Sequence, residues 1–414
     1  MLALAVVVGA LAFLSGIAAV VLLFSVSADP HRRLFELNAY GGTAAVTLVL
    51  GGILVYQAAS ALGNTGSSPM PPRIASPPWL IAAALAFPTL IVLGQLQVSH
   101  PGAVPWLFPL TNLGIVSLPS AFIALIVARR YQRFNAFAWP VSWREWTTGF
   151  IYGAVGATTV AAAINTAYVV FAGALLIHLE GSGDAFHITR NLPSVPRPWG
   201  IAFDLSALSV VAPLNEEFWK GMLVALFFFR KGGPARCFLW GVLAGAGFNL
   251  LETFQNSLSV LSPDLVTARE IGSQWWLFAA ARGGTAAIHA CAAGFSALGV
   301  YGVLRRKPKF VLGYPAGVSI HAAWNLLNYP LSGDAFYSQA GPRSAALDVV
   351  SIIGLFALFS VCAVLLWQVP RRLRDGLPAP LYRAIGMLPG ESPGEMGALR
   401  LVTSAGTSQP SAGG

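Results

Sequence analysis

The sequence predicts an all-α protein, a polytopic bundle of about ten transmembrane helices. Composition points there first. Of 414 residues, 56% are hydrophobic and 10% charged, at a mean hydropathy of +0.67. A soluble domain carries about 25% charged residues to cover its surface, so lipid must be the solvent for most of this chain. The second observation is length. Ten mostly apolar stretches reach or approach the roughly 20 residues a spanning helix needs: 3–26, 41–62, 79–97, 105–128, 149–177, 201–229, 237–260, 276–303, 311–330 and 345–368. Third, the apolar–polar alternation of a membrane β-barrel is absent.

Taken in order, segment 3–26 ends at Val26-Ser27-Ala28, which resembles a signal-peptide cleavage site. It lacks a basic n-region and is longer than an ordinary signal core, so it reads as a span. Together with the next three it makes an N-terminal four-helix region, residues 1–145, interrupted by a Pro/Ser-rich loop at 64–78. Five segments form a core, 146–335, and one helix closes the bundle in 336–374. The Gly-, Pro- and Ser-rich tail 375–414 is expected to be disordered.

The net charge of +9 is spread in short clusters between spans: Arg129, Arg130 and Arg133; Arg230, Lys231 and Arg236; Arg305, Arg306, Lys307 and Lys309; Arg371, Arg372 and Arg374. These clusters fall on one side if both termini are cytoplasmic, with Arg32 and Arg33 the poor fit. No aromatic–basic groove accompanies them, which excludes nucleic acid as a partner and leaves the bilayer. Cys237, Cys291 and Cys362 lie in separate segments without a C-x-x-C and read as packing residues.

Ionisable residues inside a membrane helix are costly and point to function. Four successive segments hold them: Glu216, Glu217 and Lys220; Glu252; Arg282 and His289; His321 and Asn325. Counted from the basic edges at Arg230, Arg236, Arg305 and Lys309, residues Glu217, Glu252, His289 and His321 all sit roughly 18–24 Å deep, although their helices alternate in direction. Unrelated structural residues have no reason to agree in depth. Lys220 is i,i+3 and i,i+4 from the two glutamates and can reach either. Pro213 frees a backbone carbonyl one turn earlier. Asn325 shares a face with His321 and could orient the imidazole or bind a carbonyl. Gly241, Gly245 and Gly247 permit close helix approach beside Glu252. Two imidazoles and a carboxylate are a common catalytic zinc set, here drawn from separate helices without an H-E-x-x-H.

The ordered run Glu216-Glu217-x-x-Lys220, Gly245-x-Gly247-Phe248-x-x-x-Glu252, Arg282 with His289, and His321-x-x-x-Asn325 resembles the PrsW family of bacterial intramembrane proteases, distantly similar to type II CAAX prenyl endopeptidases. It covers roughly residues 200–330. The resemblance implies an endopeptidase acting on membrane-anchored proteins, an anti-sigma factor being the best-known substrate. It also implies Glu216, Glu217, Glu252, His289 and His321 as the active-site set.

The expectation is therefore an intramembrane endopeptidase of the bacterial cytoplasmic membrane. Glu217 is the general base, Glu216 its partner, Lys220 tunes the pair, and Glu252, His289 and His321 hold Zn2+. In a metal-free version the histidines and Asn325 stabilise the oxyanion. The rival classes are a proton-coupled channel or transporter and a non-catalytic scaffold; no internal repeat favours transport. Arg282 reads as snorkelling to the outer interface, Asp204 and Asp348 as interfacial, and Trp79, Trp199, Trp275 and Trp276 as an aromatic belt. His31, His100, His178 and His187, in or near loops, receive no role.

Overall fold

The computed structural model describes residues 2–62, 77–133, 141–181, 183, 187–228, 232–262, 268–332 and 344–375. Its helices are α1 (Leu2–Leu22), α2 (Pro30–Leu37), α3 (Thr43–Leu62), α4 (Pro77–Ser99), α5 (Phe108–Arg133), α6 (Trp143–Ile151), α7 (Thr158–Leu179), α8 (Ile188–Asn191), α9 (Arg197–Leu205), α10 (Ala212–Leu223), α11 (Pro234–Leu261), α12 (Ala268–Leu304), α13 (Pro308–Val311), α14 (Gly313–Ser332) and α15 (Ala345–Arg372). Wide π turns at Asn38–Gly42, Tyr152–Ala157 and Ser206–Val211 join α2 to α3, α6 to α7 and α9 to α10. A fourth, Val224–Phe228, extends α10. The ten predicted segments thus appear as ten continuous rods, and no β-strand is present among the described residues.

Among the described residues, seven of the rods are long and apolar enough to cross a membrane by length and composition. The others are α1, a 21-residue apolar helix whose described part gives the stretch Ala12–Ser25, and the α9–α10 and α14 rods, whose polar residues lower their hydropathy.

Burial separates the middle of the bundle from its rim. The spanning windows of α11 and α12 are 83% and 72% buried, against 6% for α4. Lipid offers no hydrophobic drive for helix association, so close packing must supply it, and glycine lets backbones meet. A Cβ on Gly241 would meet the carbonyl of Ala293, and one on Gly245 the carbonyl of His289. Gly247 lies equally close to the Phe150 carbonyl on α6. Around this seam Phe238, Trp240, Leu243 and Ile288 are fully buried. Cys237, Cys291 and Cys362 are free thiols in the core.

Three expectations need correction. Trp275 is no interfacial residue; it is buried against Phe108, ring centroids 5.1 Å apart, whereas Trp79, Trp199 and Trp276 are exposed. Asp204 is fully buried and accepts a 3.1 Å hydrogen bond from the Tyr329 hydroxyl. Asp375, expected to open a disordered tail, instead takes the backbone N–H groups of Ala235 and Arg236 at 2.8 and 3.3 Å, capping α11. Burial pushes its carboxyl up to about 6. Beside it Glu145 pairs with Arg236 at 3.2 Å and accepts from the Trp240 indole at 2.7 Å. Residues 376–414, most of the 64–78 loop, and Arg230 and Lys231, which entered the orientation argument, lie outside the described residues.

Candidate active site

The site begins with a proline. Pro213 has no N–H to donate, and the rod widens into the π turn Ser206–Val211 just before it. The carbonyl of Leu208, five residues earlier, is taken by the Asn325 side-chain amide at 2.7 Å. Asn325 therefore ties α14 to the break in the neighbouring rod, and this bond leads away from the acidic cluster.

Beyond the break, α10 regains regular pitch, which stacks Lys220 over both glutamates. Its ammonium lies 2.7 Å from Glu217 Oε1 and 3.4 Å from Glu216 Oε2. The same nitrogen is 2.8 Å from His289 Nδ1 on α12 and 3.9 Å from the Phe248 ring centre on α11. His321 on α14 sets Nδ1 3.0 Å from Glu217 Oε1 and Nε2 3.7 Å from Glu216 Oε2. On the far side of His289, Nε2 lies 2.8 Å from Glu252 Oε2. The imidazole centroids are 4.7 Å apart. Four helices thus bring together Glu216, Glu217, Lys220, Glu252, His289 and His321. Of the expected site residues only Asn325 makes its hydrogen bond elsewhere.

The arrangement has an inside and an outside. Glu217 and Lys220 have no exposed side-chain surface, whereas the Glu252 side chain is 26% exposed. Each histidine has one ring nitrogen held by a carboxylate, Glu217 for His321 and Glu252 for His289. Such carboxylate–imidazole pairing fixes the tautomer and orientation of metal-ligating histidines. Glu216, His289 and His321 form a buried group whose donor atoms all lie within 4.8 Å of one another. Three protein donors with room for water is the make-up of a catalytic zinc site. Two of these donors, His289 Nδ1 and Glu216 Oε2, already face a cation, the Lys220 ammonium, so the donor chemistry fits a metal ion, which on binding would shift that ammonium toward Glu217. The third donor in that group is Glu216, where the sequence suggested Glu252.

Several contributors escaped sequence reasoning. Asn165 on α7 donates to Glu216 Oε1 at 3.1 Å and accepts from Asn215 at 2.8 Å. Ser296 donates to Glu217 Oε2 at 3.3 Å. A lone amide in the apolar run Ala163-Ile164-Asn165-Thr166 was the available signal for the first; a serine in a helix gives none. Arg282 does not snorkel. Its guanidinium lies 3.0 Å from Glu252 Oε2 and its Nε donates to Thr253 at 2.8 Å.

The family model for PrsW family intramembrane metalloproteases matches residues 141–362, more than half of the chain. No curated protein and no solved structure matches it.

Proposed function

The chain belongs to the PrsW family of intramembrane proteases, and from that premise we propose that it is a zinc-dependent endopeptidase that cleaves a membrane-anchored protein, anti-sigma-factor-like, near the outer face of the bacterial cytoplasmic membrane. One observation carries this reading: each imidazole is held by a carboxylate on one nitrogen while both histidines converge with Glu216. Residues 146–335 serve as the proteolytic core, 1–145 and 336–374 as flanking membrane regions, with both termini cytoplasmic.

Glu216, His289 and His321 would hold the metal. When bound, zinc supplies a Lewis acid that polarises the scissile carbonyl and acidifies water. Glu217 takes the proton from the attacking water and returns it to the departing amine, as a general base and then acid. Its Oε1, 2.7 Å from the Lys220 ammonium, borders the space where the donors meet. Lys220 keeps two adjacent carboxylates compatible at low dielectric. Glu252, fixed by Arg282, orients His289, and Asn165 orients Glu216.

The test is co-expression of the full chain with candidate single-span membrane proteins, comparing wild type with Glu217→Gln by blot. Fragments made by the wild type alone support the reading; equal fragments from both overturn it. Metal content of purified protein tests the cofactor separately. Stoichiometric zinc that is lost in His289→Ala is the expected result, and metal-free protein that still cleaves would remove zinc from the mechanism.

A further inference from the structure

Outside the active cluster, a set of buried polar groups lies between α5 and α11. Asn112 donates to Ser257 at 2.9 Å, and Asn249 donates to Ser120 at 2.9 Å. The helices run antiparallel, so both pairs belong to one register, and Val116 and Thr253 fall opposite each other midway. Asn112 also donates to Asn38, in the π turn Asn38–Gly42, at 3.0 Å. Asn38, Asn112, Ser120, Asn249, Thr253 and Ser257 are all 0–1% exposed.

Along α11 this polar face continues into the site. Thr253 accepts from Arg282, Arg282 pairs with Glu252, and Glu252 pairs with His289. At its other end the seam lies near helix termini. Ser257 is four residues from the end of α11 and Asn112 four from the start of α5, about 6 Å in each case.

The seam is under-bonded where it approaches that end. Asn38 Nδ2 and Asn112 Oδ1 have no hydrogen-bond partner, and neither does either amide atom of Gln97, 5% exposed on adjacent α4. The Trp275 indole N–H, packed against Phe108, is also unpartnered. Reversing the Asn38 and Asn112 amides exchanges the bonded atoms but still leaves a donor and an acceptor open. Inside a bilayer each such group is costly to leave open unless something polar meets it. Buried water is the usual answer and makes about three hydrogen bonds per molecule.

We propose that the α5–α11 seam, closed at its end by Asn38, is a water-holding channel that feeds the Glu252 side of the active cluster. Helices preceding the family-matched region would then supply the hydrolysis with its second reactant, by a route separate from that of an apolar substrate. The proposal rests on the hydrolase reading for the use of the water, not for its presence.

Hydration is therefore measured without activity. The full chain in native membranes, carrying Ser257→Cys, is treated with a small charged methanethiosulfonate, and its rate is compared with that of the native Cys362, equally buried in the core. Thiol modification needs a hydrated thiolate, so Ser257→Cys should react at least about tenfold faster. Equal rates overturn the proposal. Radiolytic hydroxyl labelling of the wild type avoids any folding defect in variants. Phe254 and Val116, beside the seam, should label well above the buried core residue Phe238, and equal labelling refutes bound water there. Asn112→Leu should then lower kcat with KM unchanged. A labelled seam in a protein that cleaves nothing would leave the channel standing and remove the hydrolase.

Discussion

Two charged clusters touch α11, and they differ in what explains them. The first, Glu145, Arg236 and Asp375, lies at the helix start, where exposed N–H groups and the helix dipole favour a carboxylate. Its purpose is complete once α11 is capped. The second, Glu216, Glu217, Lys220, Glu252, His289 and His321, lies mid-span, where no helix end needs satisfying. Burying charges there brings desolvation penalties that their mutual attraction only partly offsets. A charge network in lipid that no backbone group requires calls for another reason to exist, and the proposed hydrolysis supplies one.

The contrast can be broken most decisively at Glu217. Glu217→Gln should reduce proteolysis by about 10²–10⁴-fold, the contribution of a general base, with the protein still folded. Full activity in that variant would make the mid-span cluster structural, like the first. Gly245→Ala comes next. The added methyl meets the His289 carbonyl, so α11 and α12 must separate and the imidazole must move. Both thermal stability and cleavage should fall, whereas Gly52→Ala, with open space around it, should change neither. Glu252→Gln should weaken metal affinity by about 10–100-fold, read by competition with a zinc chelator, because it loosens His289 without removing a donor of the Glu216 group.

The capping cluster should respond in stability alone. Glu145→Gln weakens the partner of Arg236 and should cost about 1–3 kcal/mol, with activity per folded molecule unchanged. The smallest effect concerns pH. The Asp375 carboxyl is raised from an ordinary 3.8 to about 6, so between those values the folded protein keeps a proton that the unfolded chain has released. Stability therefore falls as pH rises through that window. Asp375→Asn should flatten the dependence of the thermal midpoint on pH between 4 and 6. A wild-type midpoint that climbs across this window would contradict the assignment.

Depth was legible in the sequence and direction around the helix axis was not. Rise per residue is fixed, so counting from basic edges placed Glu217, Glu252, His289 and His321 in one layer, and the structure brings them together. Azimuth depends on each helix holding regular pitch, which the π turns interrupt. Asn325, expected to face the cluster with His321, instead reaches the Leu208 carbonyl inside the π turn of the neighbouring rod, and Glu216 takes the place in the donor group expected for Glu252. Arg282 was misplaced because distance along the axis alone put it near a surface, although Glu252 and Thr253 lie beside it. Asn165 was overlooked because an asparagine in an apolar run carries no depth partner to match.

The two π turns that bracket α10, Ser206–Val211 and Val224–Phe228, have a wider consequence. Each acts as a phase break: one surplus residue swings everything beyond it by about 100°. The twelve residues of α10 can thus keep their own rotational setting while the outer portions of the same rod answer to different neighbours. Deleting a single residue from 206–211 would re-aim Trp199 and Asp204 and leave the Glu216–Lys220 face untouched. The lipid-facing and reacting parts of one continuous helix are in this way free to diverge independently.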